Sequence, residues 1–213
     1  MKTINHYFPS NQYYKEVTQK RGIVLHHTVS GNSVAGDINW WKSTPQHVAT
    51  PVIIDRDGKI HRLFSSKHWA HHLGIKRYHF KHFGLPALNT KRNKEFIGVE
   101  LDSWGGLIKQ GGRFYSYTGK EISKENVVYY KNEYRGYHYF EKYTKQQIQA
   151  LKELLLYWGE YYKIPLKYKG DVMFKYNRRA LSGEKGIWAH VSFRPDKSDV
   201  HPQKELIKML KSL

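Results

Sequence analysis

Apolar positions along this chain follow two rhythms. Arg21 to Thr28, RGIVLHHT, is a short apolar run closing on two histidines and a hydroxyl residue. Such a run predicts a buried strand whose carboxyl end carries polar chemistry. Phe96 to Leu101, FIGVEL, predicts another, carrying one acid, Glu100, and Gly186 to Val191, GIWAHV, predicts a last core strand. Pro51 to Phe64, PVIIDRDGKIHRLF, holds two β-rich runs around Asp57-Gly58, a hairpin signal because glycine tolerates the positive φ of tight turns. The other rhythm is helical. Thr144 and Gln147 form a capping box, and Ile148, Leu151, Leu155, Trp158 and Tyr162 follow on one helix face. Pro165 is expected to end that helix. Ser33 to Ser43 predicts an earlier helix, and Leu206, Met209, Leu210 and Leu213 a short closing one after Pro202.

Between Ser103 and Tyr143 the rhythm breaks. Gly105-Gly106, Gly111-Gly112 and many Tyr predict a long excursion containing a hairpin. No repeat, low-complexity tract or Pro/Ser-rich linker divides the rest. Alternating strands and helices predict an α/β fold: one domain over 1–213, a central mixed β-sheet flanked by helices, interrupted at about 103–143.

Composition narrows the chemistry. Lys and Arg number 36 against 18 Asp and Glu, a net charge of +18, so the partner is expected to be acidic. Nucleic acid and the phosphate- and carboxylate-rich bacterial envelope both qualify. With no Cys, any metal must be held by His, Asp or Glu. The amino terminus, MKTINHYFPSNQYYK, lacks the apolar core of a secretory signal, and no run approaches the roughly 18 apolar residues of a membrane span. Synthesis in the cytoplasm is expected, with no stable membrane insertion, and any route outward must be supplied by something else.

Among thirteen histidines, His26, His27, His72 and His190 are the informative ones. His26 and His190 each end an apolar strand, and Asp199 lies nine residues after His190 in the polar, Pro-broken segment VSFRPDKSDVHP. Two imidazoles and a carboxylate leave a fourth position open, the pattern of catalytic rather than structural zinc. His201 competes with Asp199 as third ligand, since imidazole suits zinc equally. His27 is expected on the opposite face of its strand, with Thr28 returning toward the site.

IVLHHT, VIIDRDGKI, AHHLG, IGVEL and HVSFRPDKSDVHP, taken in order, resemble the zinc-dependent N-acetylmuramoyl-L-alanine amidases, which include phage endolysins and animal peptidoglycan recognition proteins. The resemblance runs from about Arg21 to Pro202 and is strongest to phage endolysins. It implies a peptidoglycan hydrolase cutting the amide between N-acetylmuramic acid and L-alanine, with Zn²⁺ on His26, His190 and Asp199. Some members activate water with a Tyr just before the hairpin's first strand, others with a Glu in the IGVEL-like strand. Here those places hold Thr50 and Glu100, so the resemblance assigns the base to Glu100 and oxyanion stabilisation to Lys197. A buried ion pair for Glu100 and a solvated loop role for Lys197 are the plain alternatives. His72, preferred over His71, together with Thr50 and Trp104 is assigned to the substrate groove. The aromatic residues of 103–143 either stack on sugars or build a satellite core.

Two other classes compete: a non-catalytic peptidoglycan-binding protein of the same fold, and a basic nucleic-acid-binding protein. The first would lack a ligand, whereas every ligand position is filled. The second rests on charge alone, without a recognition motif, so nucleic acid is not expected as a partner. A zinc peptidase cutting within the stem peptide shares the metal logic. A monomer is expected.

Overall fold

A computed structural model describes residues 3–31 and 33–213. Along the chain come β1 (Thr3–Asn5), β2 (Gly22–His27), α1 (Val34–Ser43), β3 (Val52–Ile54), β4 (Ile60–Arg62), α2 (Arg77–His82), α3 (Asn89–Glu95) and β5 (Phe96–Leu101). Then follow β6 (Gly106–Gln110), β7 (Arg113–Tyr115), β8 (Glu121–Ile122), β9 (Val127–Tyr134), β10 (Tyr137–Glu141), α4 (Lys145–Tyr162), α5 (Arg178–Leu181), β11 (Gly186–Ala189) and α6 (Lys204–Leu210). No helix among the described residues is long and apolar enough to cross a membrane.

The main sheet is mixed, with strand order β1-β4-β3-β5-β2-β11 and β3 against β4 as its antiparallel pair. β2 and β5 are buried at every position, as their unbroken apolar runs require of parallel strands covered on both faces. On one face α4 and α6 pack Leu151, Leu155, Trp158 and Leu206 against Ile23, Leu25, Ile97 and Leu101. Fully burying each of these aliphatic side chains contributes roughly 1.5–3 kcal/mol. On the other face α1 sets Val34, Ile38 and Trp41 over Ile53, Leu63 and Phe64. The parallel strands β3, β5, β2 and β11 all run the same way, so their carboxyl ends line one edge.

The local signals account for the element ends. Ser33 caps α1, its hydroxyl accepting from Gly36 N, and Thr144 and Gln147 form the expected capping box. The turn between β3 and β4 holds Gly58 at φ +79°. α4 stops before Pro165, because Lys163 takes the left-handed conformation at φ 55°. β11 ends at Ala189, so His190 opens a turn of 3-10 helix instead of closing the strand.

Residues 103–143 form more than a hairpin. They build a second, five-stranded antiparallel sheet of order β8-β7-β6-β10-β9 around Leu107, Phe114 and Ile122, with Trp104, Val127 and Tyr139 packed against them. Polar and aromatic residues share both faces of β9, VVYYKNEY, so the period-two signal there is diluted. Tyr130 and Tyr134 anchor this sheet to the main body, their hydroxyls reaching His201 Nδ1 at 2.8 Å and Val200 O at 3.0 Å.

Candidate metal centre

β2 and β11 are parallel neighbours paired through Leu25 and Ala189, which places His26 and His190 side by side just beyond the last paired residues. The loop after His190 returns on itself, held by Val191 N donating to Asp199 O at 2.9 Å, and delivers the Asp199 carboxylate to the same point. His26 Nδ1 lies 3.1 Å from His190 Nδ1 and 3.1 Å from Asp199 Oδ2, and His190 Nδ1 lies 2.9 Å from that oxygen. Zinc bonds of about 2.0–2.1 Å give a tetrahedron with edges of about 3.3 Å, so this triangle fits one zinc ion, and among the described residues no fourth His, Cys, Asp or Glu joins the group. Among the described residues no other group of three His, Cys, Asp or Glu side chains meets in this way.

The electrostatics suit a metal. Burial, and after it the neighbouring His190 charge, pushes His26 down to about 4, so its imidazole is neutral and its lone pair available near neutral pH. Burial alone would raise Asp199, but the charges and hydrogen bonds of His190 and His26 hold its carboxyl well below the usual range. An anionic carboxylate beside the neutral imidazole of His26 and the ring of His190 is a donor set that suits a divalent cation.

Glu100 pairs across the sheet with His26, on the same face. It is 9% exposed, and its Oε2 has no hydrogen-bond partner. Burial first, then the charges of Asp199 and Asp37, push it well above the ordinary glutamate range, while Lys197 opposes. The structure gives it no ion-pair partner among the described residues, so the buried-pair alternative falls away. Lys197, half-buried in the loop that carries Asp199, lies close enough for its charge to act on both Glu100 and His26.

The remaining predicted residues divide. His72 meets the centre, its Nδ1 lying 3.0 Å from His26 Nε2 and its Nε2 3.0 Å from Phe96 O. His71 turns away and stands edge-on to Trp69. Thr50 is 1% exposed and donates its hydroxyl to Val52 O, so the groove role assigned to it is corrected: it has neither surface nor free donor for a substrate. Trp104 is half-buried and lines a cavity of about 570 Å³ with Asp37, Arg56, Lys120 and Glu141. Thr28 does not return to the centre; its hydroxyl accepts from Ser103 N at 3.2 Å.

His27 sits on the opposite face, as strand alternation requires, with Nδ1 2.9 Å from the Tyr143 hydroxyl. His201 is excluded as a ligand. Its ring is stacked between Phe140 and Tyr143, and its nitrogens are taken by Tyr130 OH at 2.8 Å and Glu141 O at 3.1 Å. Two acids escaped the sequence reading. Burial raises Asp37 to about 6, and burial followed by Asp37's charge raises Asp102 to about 7. Asp102 follows Glu100 by two residues and so shares its face, a signal the strand pattern did contain.

Comparison with known proteins agrees with this geometry. The family described as N-acetylmuramoyl-L-alanine amidase matches residues 16–203. No curated protein matches the chain. Among solved structures, PlyL is similar at 14% identity, with TM-score 0.55, covering 99% of this chain and 98% of its own. The Staphylococcus aureus hydrolase AmiA, solved in complex with its ligand, is similar at 14% identity and TM-score 0.53, covering 99% of this chain and 82% of its own. AmiD from E. coli, in complex with the substrate anhydro-N-acetylmuramic acid-L-Ala-D-gamma-Glu-L-Lys, is similar at 18% identity and TM-score 0.52, covering 92% of this chain and 59% of its own.

Proposed function

This chain belongs to the N-acetylmuramoyl-L-alanine amidase family, and on that premise we propose that it cuts peptidoglycan between N-acetylmuramic acid and the first L-alanine with zinc held by His26, His190 and Asp199. The observation that carries this reading is the convergence of two imidazole nitrogens and one carboxylate oxygen within 2.9–3.1 Å of one another. Bound zinc supplies a Lewis acid that polarises a carbonyl and acidifies water. Glu100, on the same face as His26 and short of a hydrogen-bond partner, takes a proton from the attacking water and returns it to the departing alanine nitrogen. Its raised proton affinity suits both halves of that task. Lys197 offers positive charge to the oxyanion as the carbonyl becomes tetrahedral.

A lytic role fits the chain's charge of +18, which draws it to the anionic envelope. We assign it to a phage endolysin made in the host cytoplasm and released onto the wall at lysis, acting on thin, Gram-negative sacculi. Digestion of purified sacculi with and without a chelator tests the reaction. Stem peptides newly beginning with L-Ala, absent after chelation, are expected. Cleavage inside the stem peptide would show a peptidase instead, and binding without any product a recognition protein. Preference for thick walls would overturn the host assignment.

A further inference from the structure

We propose that the dipeptide His72-Leu73 is the positioning element of the metal centre, its imidazole fixing the tautomer of His26 and its carbonyl that of His190. This deepens the zinc-amidase reading and rests on it. Two backbone carbonyls, which can only accept, set the pattern. Phe96 O lies 3.0 Å from His72 Nε2, so that nitrogen carries hydrogen and His72 Nδ1 keeps its lone pair. That lone pair accepts from His26 Nε2, 3.0 Å away, which leaves His26 Nδ1 bare toward the centre. In parallel, Leu73 O accepts from His190 Nε2 at 2.9 Å and leaves His190 Nδ1 bare. Both lone pairs then face Asp199, and neighbouring residues of one segment have set them.

The segment is itself held. Asn93, 1% exposed on α3, accepts from His72 N at 2.8 Å and Leu73 N at 3.0 Å through Oδ1, while its Nδ2 donates to Asn89 O at 2.8 Å. Room for the His72 ring is made on β5: a side chain at Gly98 would stand 3.0 Å from His72 Nδ1 and 2.5 Å from the Thr50 methyl. The missing side chain at Gly98 thus leaves the ring its place. With both nitrogens committed to the protein, His72 has no polar atom left for a sugar or peptide, so it acts through His26. Outer partners of this kind typically govern metal affinity by 10–100-fold.

The test uses the full chain, selectively ¹⁵N-labelled at histidine, with zinc and after stripping. Long-range ¹H–¹⁵N spectra of the wild type are expected to show His26, His72 and His190 all protonated at Nε2, and this reading needs no variant. Zinc affinity, measured by competition with a chromophoric chelator, is expected to fall about 10–100-fold in His72→Leu. His72→Asn, whose Oδ1 can stand where Nδ1 stood, should recover most of that loss. A His26 or His72 protonated at Nδ1 in the wild type, unchanged zinc affinity in His72→Leu, or His72→Asn no better than His72→Leu would each overturn the proposal. Neither readout involves substrate. If both come out as expected and sacculi still yield no L-Ala termini, the amidase reading fails and the positioning role stands.

Discussion

His26 and His27 are adjacent in the chain, yet they belong to two histidine clusters on opposite faces of the sheet. On one face His26, His72 and His190 gather with Asp199; on the other His27 and His201 gather with Tyr130 and Tyr143. Both clusters are buried, and burial lowers the proton affinity of His26 and His27 alike, to about 4. What separates them is where the remaining lone pairs point. In the first, carbonyls and a relay histidine occupy the outer nitrogens and leave the inner ones facing an acid. In the second, His201 spends both ring nitrogens on Tyr130 and the Glu141 carbonyl, and the cluster contains no carboxylate side chain among these contacts. A metal centre is therefore a matter of unspent acceptors converging; burial of imidazole alone builds core.

Four perturbations should sharpen that contrast. The largest effect is expected from Asp199→Ala, which leaves two imidazoles without their acid: zinc content should drop to background and release of L-Ala termini fall about 1000-fold or more, measured by metal analysis and product assay. Full metal and activity in that variant would break the comparison at its root.

Next comes Glu100→Gln, expected to keep zinc but lose about 10²–10⁴-fold in kcat. Since the base must be ionised, the acid limb of the wild-type rate profile should lie above the ordinary glutamate range. Stability carries the matching sign. Between the unfolded value near 4.3 and its raised folded value, Glu100 holds its proton only when folded, so stability of the zinc-stripped chain falls as pH rises through that window. Glu100→Gln should flatten that slope in denaturant titrations; an equal slope in both proteins would contradict the raised affinity.

On the other face His201→Ala should cost roughly 3 kcal/mol of stability, because a stacked ring is lost and the Tyr130 and Glu141 groups are left unpaired. It should nevertheless bind one zinc per chain; loss of the metal would mean the two clusters are coupled. The smallest effect is expected for Tyr143→Phe, which removes the hydroxyl serving His27 Nδ1 and His201 N. About 1–2 kcal/mol in chemical denaturation, with unchanged hydrolysis, is the outcome that fits a purely structural cluster.

The sequence made much of this legible. The apolar runs at 21–28 and 96–101 hold the central parallel strands and the run at 186–191 the border strand β11, which stops at Ala189, and strand alternation alone separated His26 from His27. The polar loop after His190 pointed to Asp199, and Glu100 stood out as an acid within an apolar strand. Other features carried no such mark. β1 is only three residues long, too short for periodicity to register. α3, NTKRNKE, has no apolar stripe, so nothing pointed to Asn93 or the clamp it forms. Thr50 was read from its place beside a strand, but which way a threonine's hydroxyl turns depends on neighbours such as Gly98, distant in sequence. The second sheet was hidden because its core is only three buried residues.

β11 lies at the border of the main sheet and touches one strand only, β2. A ribosome still short of Asp199 therefore holds a chain with no assembled centre, however well the earlier strands have formed. For a member of the N-acetylmuramoyl-L-alanine amidase family, that order of synthesis leaves nascent and prematurely terminated products without their His-His-Asp triad.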